Sequence, residues 1–176
     1  MSSSRRSNGG KPLDALTTPS YNPRLLAFLR ESLAIEGIHR PPTEAEIRAT
    51  EVFLELDVLT VEAICELQAV YAPGKPIRDK VGMNVRVGGY IAPRGGPDIP
   101  KRLTELCERA NRFVSNPWED HVAFENLHPF ADGNGRSGRA IWLWQMQRQF
   151  QQPFALGFLH RFYYQTLANS NERKPS

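Results

Sequence analysis

The sequence predicts a mostly α-helical, single-domain protein with one β-hairpin. Apolar residues recur every three or four positions along most of the chain, as in helices that bury one face. Residues 73–97 break this pattern with prolines, glycines and β-branched residues, which favours a hairpin. The 176 residues, of which 40% are hydrophobic, are enough for one domain with its own core.

The first helix is predicted over about residues 23–37. It follows Asn22-Pro23, and Gly37 offers a C-terminal stop before Pro41-Pro42. Its leucines recur at helical spacing, at Leu25, Leu26, Leu29 and Leu33.

Two further helices are predicted to start at threonines. Thr43 and Glu46, three positions apart, resemble a capping box and predict a second helix to about Leu56. Thr60 is placed to cap a third helix that runs to Tyr71.

The second half of the chain is predicted to hold the hairpin and four helices. Residues 85–92 form the hairpin, with Gly88-Gly89 as its tight turn. Helical spacing then returns at Asp98 and continues until Asn116-Pro117, which stops that helix and caps the next. Three more helices are expected over about residues 117–128, 135–150 and 156–168.

Composition argues against several classes of partner. The 22 Lys and Arg residues exceed the 19 Asp and Glu residues by only three and are scattered, so nucleic acid is not expected to bind. The absence of a long apolar run argues against a membrane. Cys65 and Cys107 lack CxxC spacing and a secretory leader, which predicts reduced thiols in a cytoplasmic protein. Flexible tails are expected at residues 1–19 and 171–176, around a domain of residues 20–170.

The densest group of reactive side chains lies in residues 128–139, between two predicted helices. Residues 133–135 read Gly-Asn-Gly, a sequence that lets backbone N–H groups turn toward one point and form a nest for an anion. Arg136 and Arg139 follow in the first helical turn, where each cation is disfavoured by roughly 0.3–1 kcal/mol. An anionic ligand such as phosphate would offset that cost, whereas a Gly-rich turn with solvated arginines is the alternative.

His128 and Asp132 flank this nest with the groups that phosphate chemistry uses. Pro129 disfavours helical geometry at His128, which predicts an imidazole at a helix end beside an open cleft. Asp132 directly precedes the nest, where a lone carboxylate suits Mg²⁺. A structural histidine and a plain Asx-turn are the respective alternatives.

The stretch HPFADGNGRSGR fills every fixed position of HxFx(D/E)GNGRxxR, the signature of the Fic family, which the chain resembles over roughly residues 20–168. The resemblance implies a mostly helical domain with a hairpin flap over the active site. It also implies transfer of AMP from ATP to a hydroxyl side chain (Tyr, Thr or Ser) of a target protein, with release of pyrophosphate.

The resemblance also assigns roles to the signature residues. His128 would deprotonate the target hydroxyl, Asp132 would hold Mg²⁺, and Phe130 would point inward and anchor the loop. Asn134 and the adjacent backbone would bind the α-phosphate region, and the two arginines would hold the outer phosphates. The phosphate-binding residues are then Gly133, Asn134, Gly135, Arg136 and Arg139.

The hairpin is expected to dock the target by strand addition, which ignores sequence and leaves the target's identity open. The protein itself is one candidate target, and a homo-oligomer is left open. The docking residues would be Val85, Arg86, Val87, Gly88, Gly89, Tyr90 and Ile91.

Glu36 falls on the apolar face of the first helix, where a carboxylate needs a cationic partner unless the helix end frays toward water. Residues 32–37 also match the family's inhibitory pattern (S/T)xxxE(G/N), which Ser32 opens. The resemblance implies that Glu36 pairs with Arg139 and prevents the γ-phosphate of ATP from settling productively, so that the enzyme is autoinhibited.

Several related functions stay open at this point. Doc-like relatives transfer phosphate, other relatives transfer phosphocholine, and some inhibited members remove AMP, for which Glu36 could position water. A module that binds nucleotide without catalysis is a further alternative, against which the intact His128 argues.

Overall fold

The computed structural model describes residues 21–150. The predicted tails and the predicted helix over residues 156–168 lie outside this range. Within it the chain is mostly helical with one antiparallel hairpin, which confirms the predicted fold class. The elements are α1 (Pro23–Ile35), α2 (Glu44–Glu55), α3 (Val61–Tyr71), β1 (Arg86–Val87), β2 (Tyr90–Ile91), α4 (Asp98–Asn111), α5 (Pro117–Leu127) and α6 (Asn134–Phe150).

The helices begin at side chains that satisfy their first N–H groups. Both bonds of the predicted capping box at Thr43 and Glu46 are present, and the Thr60 side chain caps α3. Asn22 and Asn116 accept hydrogen bonds from the first turns of α1 and α5. These starts were predictable because each depends on residues within one turn of the helix end.

The helix α4 ends earlier than the sequence predicted, at Asn111 rather than at Asn116. Phe113 has a left-handed backbone, with φ of 53°, which takes the chain out of the helix. Its ring stacks on Trp144 of α6 with centroids 5.7 Å apart. A tertiary contact therefore ends the helix before the Asn-Pro signal is reached.

The core forms around α6, which is buried on nearly all sides of its first three turns. A helix enclosed in this way packs against several neighbours, here α1, α2, α3 and α5. This burial fixes the position of the start of α6, and therefore the position of the loop that precedes it. The most deeply buried large side chains of the core include Leu25, Phe28, Ile64, Leu103, Phe124, Ile141 and Trp144.

A buried carboxylate joins the three helices α4, α5 and α6. Asp120 is fully buried and accepts hydrogen bonds from Arg109 at 2.5 Å and from Gln145 at 2.7 Å. The Ser115 hydroxyl donates to its second oxygen. Since all these partners lie on different segments, this carboxylate holds α5 in place beneath the loop that follows it.

Replacing Asp120 by alanine is expected to lower the free energy of unfolding by about 2–4 kcal/mol, because buried donors lose a charged acceptor. Asp57→Ala is the matched control, since that carboxylate is 97% exposed and lies 3.5 Å from Arg148. Urea denaturation of both variants measures the effect. Equal, small losses for the two would show that the buried network does not stabilise the fold.

The predicted hairpin is present, and we call residues 85–92 the flap. Arg86 pairs with Ile91 and Val87 with Tyr90, and the turn residue Gly88 has φ of 58°. The Tyr90 hydroxyl donates to the carbonyl of Asn126 at 2.7 Å, which joins the flap to the end of α5. Both strands are otherwise exposed. Within residues 21–150, no helix has the length and apolar character needed to cross a membrane.

Candidate active site

His128 lies where α5 ends, as the sequence predicted. The helix stops at Leu127, and His128 adopts a left-handed backbone with φ of 49° and ψ of 60°. Its N–H still donates to the carbonyl of Phe124 at 2.8 Å. The following Pro129 disfavours helical geometry here, so the chain turns sharply and directs the half-buried histidine toward a cleft.

The surroundings of His128 favour its neutral form. Burial lowers the pKa of this imidazole, and the nearby Arg78 cation lowers it further. A hydrogen bond with the Glu125 backbone and the charges of Glu36 and Asp132 act in the opposite direction without reversing the shift. A neutral imidazole at neutral pH can accept a proton.

The loop of residues 128–133, which we call the catalytic loop after the role predicted from the sequence, is anchored by two side chains. Phe130 is buried, 1% exposed, and its backbone pairs with Ile77. The Asn134 amide accepts a hydrogen bond from the N–H of Phe130 and donates one to its carbonyl, both at 2.9 Å. The side chain assigned to the α-phosphate region is thus engaged with the loop.

The position of Gly133 requires a residue with a left-handed backbone and no side chain. Its φ is 77°, and an added Cβ would lie 2.7 Å from Nε2 of Gln68 and 2.8 Å from Cβ of Ala72. The glycine therefore allows the nest to lie directly on α3.

Asp132 is exposed beside the nest, and its Oδ1 accepts a hydrogen bond from the N–H of Gly133 at 2.7 Å. Across residues 21–150, no three His, Cys, Asp or Glu side chains cluster as metal ligands. A single exposed carboxylate is the donor set expected for Mg²⁺ that is shared with phosphates and water, rather than for a metal enclosed by protein.

The side chain of Arg139 is fully buried and is bonded to α1. Its Nε donates to the Ser32 hydroxyl at 2.9 Å, and its Nη2 donates to the Ser32 carbonyl at 2.9 Å and to Oε1 of Glu36 at 2.6 Å. The guanidinium is 0% exposed, whereas the Glu36 side chain is 25% exposed. The ion pair expected from the sequence is therefore present, and it is shielded from solvent on the arginine side.

Glu36 is neither frayed nor deeply buried. It ends α1, with Gly37 in the left-handed region at φ of 70°, and its carboxylate lies against the Cα of Gly135 so closely that a Cβ there would collide with Oε1. The carboxylate thus covers the first turn of α6, where the N–H groups and the helix dipole favour an anion.

These groups surround a cavity of about 310 Å³ beneath the flap. The flap contributes Val85, Arg86 and Val87, while the rest of the predicted docking residues, Gly88, Gly89, Tyr90 and Ile91, lie outside the lining. The lining residues are Glu36, Val85, Arg86, Val87, Glu125, His128, Ala131, Asp132, Gly133, Asn134 and Gly135.

The two signature arginines do not line this cavity. Arg139 is held by α1, and Arg136 points to α3, where it donates to the carbonyl of Tyr71. Tyr71 is the last residue of α3, so Arg136 satisfies a carbonyl that the helix leaves unpaired. The structure therefore brings the nest, His128 and Asp132 together around the cavity. Both arginines predicted to hold the outer phosphates lie outside its lining.

The model of the Fic/DOC family matches residues 50–146, more than half of the 176-residue chain. The chain belongs to the Fic/DOC family. The match includes the flap, the catalytic loop and most of α6, and it begins after α1.

Solved structures that share the Fic fold include a Fic domain containing signaling protein from Bacteroides thetaiotaomicron. The chain is 18% identical to that protein with a TM-score of 0.50, over 78% of this chain. The chain spans 62% of the length of that structure. No curated protein matches the chain.

Gln68 is a residue of this Fic site that the sequence analysis missed. It is buried on α3, donates from Nε2 to the carbonyl of Asp132 at 2.5 Å, and accepts from the Ser137 hydroxyl at 2.6 Å. It therefore joins the catalytic loop to α6 from behind. Its only signal was a polar side chain at a position of α3 that helical spacing places with Ile64 and Tyr71.

Proposed function

We propose that this Fic/DOC protein is a protein adenylyltransferase. It would transfer AMP from ATP to the hydroxyl of a Tyr, Thr or Ser side chain on a target protein and release pyrophosphate. The observation that carries the proposal is that His128, a base whose pKa burial lowers, lines the same cavity as residues 133–135. A proton acceptor and an anion nest are the two groups that nucleotidyl transfer to a hydroxyl requires.

The chemistry follows from this arrangement. The His128 imidazole takes the proton of the target hydroxyl, whose oxygen then forms a bond to the α-phosphorus. The bond between that phosphorus and the oxygen bridging to the β-phosphate breaks, and pyrophosphate leaves. N–H groups at the start of α6 stabilise the negative charge on the α-phosphate oxygens during this exchange.

Asp132 is the residue that would hold Mg²⁺, because it is exposed, lines the cavity and adjoins the nest. The ion would neutralise charge on the phosphates when bound. This chain's own contribution is the orientation of the carboxylate, which the N–H of Gly133 sets through Oδ1.

In the proposed resting state, α1 and the adjoining Glu36 inhibit the enzyme. Glu36 occupies the anion-favouring first turn of α6 and engages Arg139, which would otherwise hold the outer phosphates of ATP. Ser32 holds the same guanidinium through two further bonds, so it contributes to the inhibited state alongside Glu36. Release of inhibition requires α1 to move or its carboxylate to turn away.

The flap is proposed to present the target. Ile91 is 72% exposed and Val87 is 42% exposed. Both lie on a short two-stranded ribbon with an open edge. An extended target segment could add to this edge through backbone hydrogen bonds, next to the cavity that Val87 lines. A second copy of this chain is one candidate target.

Removal of AMP is a second candidate function, favoured by one observation. Glu36 lines the same cavity as His128, so its carboxylate could activate a water molecule for hydrolysis of an AMP-modified side chain. The two directions respond oppositely to loss of Glu36: transfer would rise and removal would fall.

Labelled ATP tests the proposal. The Glu36→Gly variant is incubated with a protein lysate and ATP labelled either on the α-phosphate or on the γ-phosphate. AMP transfer predicts that protein acquires the α-label and that pyrophosphate carries the γ-label. A γ-label on protein that exceeds that of the same lysate without the variant would indicate phosphate transfer, and an α-label that does not exceed that background would reject adenylylation.

The rate of AMP transfer by the Glu36→Gly variant is expected to rise with pH and to level off, with an inflection below 6.5. Burial lowers the pKa of His128 from its ordinary value of 6.5, and only the neutral imidazole accepts a proton. Loss of the Glu36 charge removes an influence that raises this pKa. Initial rates between about pH 5 and 8 measure the inflection, which would contradict the assignment if it lay above 6.5.

A folding control accompanies the pH series. Burial lowers the pKa of His121 to about 3, so the unfolded chain takes up a proton that the folded chain does not as the pH falls below 6.5. The contribution of His121 to stability is therefore complete above pH 6.5 and is lost as the pH falls toward 3. Circular dichroism at each pH separates this loss from protonation of His128.

A further inference from the structure

Arg78 is a fully buried cation whose side-chain hydrogen bonds go to backbone carbonyls on three separate stretches of the chain. Its Nε donates to the carbonyl of His128 at 2.7 Å and its Nη2 to that of Leu127 at 3.0 Å. Its Nη1 donates to the carbonyls of Met83 at 3.0 Å and Pro93 at 2.8 Å. One guanidinium therefore contacts the end of α5 and the chain on both sides of the flap.

Four carbonyl dipoles replace the water that this cation loses on burial. The desolvation is costly, and it lowers the pKa of Arg78. The carbonyls of Leu127 and His128 lie at the C-terminus of α5, where a helix leaves carbonyls unpaired and its dipole favours a cation. The bond to His128 also supports a residue whose left-handed backbone is unfavourable for a non-glycine side chain.

The chain segments that enter and leave the flap converge at this guanidinium. Gly95, just beyond the flap, approaches Met83 so closely that an added Cβ would lie 2.5 Å from the Met83 carbonyl oxygen. Its N–H donates to the Asn84 side chain at 3.1 Å. Because the base of the flap is closed in this way, displacement of the carbonyls of Met83 or Pro93 would move the whole hairpin.

The backbone of Arg78 joins the same segments. Its N–H donates to the carbonyl of Pro129 at 2.9 Å, and its carbonyl accepts from the N–H of Gly96 at 2.9 Å. The N–H of Ala131 donates to the carbonyl of Pro76 at 3.2 Å, which adds a second bond between this segment and the catalytic loop. The residue thus lies between the catalytic loop and the chain that leaves the flap.

We propose that Arg78 is a positioning residue that fixes the distance between His128 and the flap. Through Arg78, His128 and the flap strand that presents the target hydroxyl keep a constant distance and orientation. Arg78 itself does not line the cavity. This inference rests on the proposed function for its catalytic consequence. Its structural content, a rigid link between flap and catalytic loop, stands without that function.

Arg78→Lys separates charge from geometry, because lysine keeps the cation but its ammonium cannot span four carbonyls as the planar guanidinium does. Arg148→Lys is the matched control: Arg148 also donates to a backbone carbonyl, that of Glu55 at 3.3 Å, and lies away from the cavity. Both substitutions are made in the Glu36→Gly protein, and the rate of lysate labelling is measured against ATP concentration.

Arg78→Lys is expected to lower kcat by about 10²-fold, the effect of a roughly 1 Å misplacement, with little change in the KM for ATP. Arg148→Lys is expected to change neither. A kcat within twofold of the parent, or a loss confined to KM, would overturn the proposal for catalysis.

Hydrogen exchange in the unaltered chain tests the link without any activity or variant. The amides of Arg78, Ala92, Gly96 and Ala131 are expected to open with one shared free energy, because they belong to one cooperative unit. Flap amides that open independently of the catalytic-loop amide would overturn the proposal, even if AMP transfer is found. If the Glu36→Gly parent transfers no AMP, the proposed function fails while this measurement still tests the link between the flap and the catalytic loop.

Discussion

Replacing His128 by alanine in the Glu36→Gly protein is expected to lower AMP transfer by about 10²- to 10⁴-fold, the range that a positioned general base contributes. The variant keeps the nest and its N–H groups, so nucleotide binding should persist while proton removal is lost. Incorporation of α-labelled ATP into lysate protein measures the rate, and equilibrium binding of ATP measures the site.

The exposed His39 provides the matched control for this loss. His39→Ala removes an imidazole that does not line the cavity, and it should leave the rate unchanged. A His128→Ala protein that labels targets as fast as its parent would show that His128 is a structural histidine and not the base.

Replacing Glu36 by glycine is expected to raise AMP transfer by about 10- to 100-fold over the unaltered chain. The substitution removes a charge-assisted hydrogen bond to Arg139, worth about 1.5–3 kcal/mol, and each 1.4 kcal/mol corresponds to a tenfold change. It also uncovers the first turn of α6 for a phosphate. Glycine suits the end of a helix, so the fold should tolerate the change.

The control for glycine at a helix end is Glu55→Gly, at the exposed last position of α2. It should not raise the rate. The double variant Glu36→Gly with Arg139→Ala should lose much of the gain, because the freed guanidinium is what holds the outer phosphates. Full retention of the gain in the double variant would show that inhibition does not act through Arg139.

The features predicted correctly from the sequence are those set by neighbouring residues. The capping box at Thr43 and Glu46, the turn at Gly88-Gly89 and the end of α5 before Pro129 each depend on contacts within a few positions. The end of α4 was predicted too late because Phe113 turns the chain in response to Trp144, which is distant in sequence.

Within the site, the direction of long side chains could not be read from the sequence. Arg136 and Arg139 share the first turns of α6, yet packing sets their partners. These are the carbonyl of Tyr71 for Arg136, and Ser32 of α1 and the adjoining Glu36 for Arg139. The pairing of Arg139 with Glu36 was expected from the resemblance to the Fic family, since the apolar helix face indicated only that Glu36 needs a cationic partner.

Gln68 and Arg78 escaped the sequence analysis for a related reason. Both act through backbone carbonyls, at Asp132 for one and at the ends of α5 and the flap for the other. A carbonyl belongs to every residue and leaves no pattern in the sequence, so such contacts emerge only once the fold brings the segments together.

Whether this protein transfers AMP is decided by mass spectrometry of the proteins that the Glu36→Gly variant modifies in a lysate with ATP. We expect peptides that carry AMP on a Tyr, Thr or Ser hydroxyl, and we expect none when His128 is also replaced by alanine. The proposed AMP transfer is wrong if the only peptides gained over the same lysate without the variant carry phosphate, or if no modified peptide is gained with either protein.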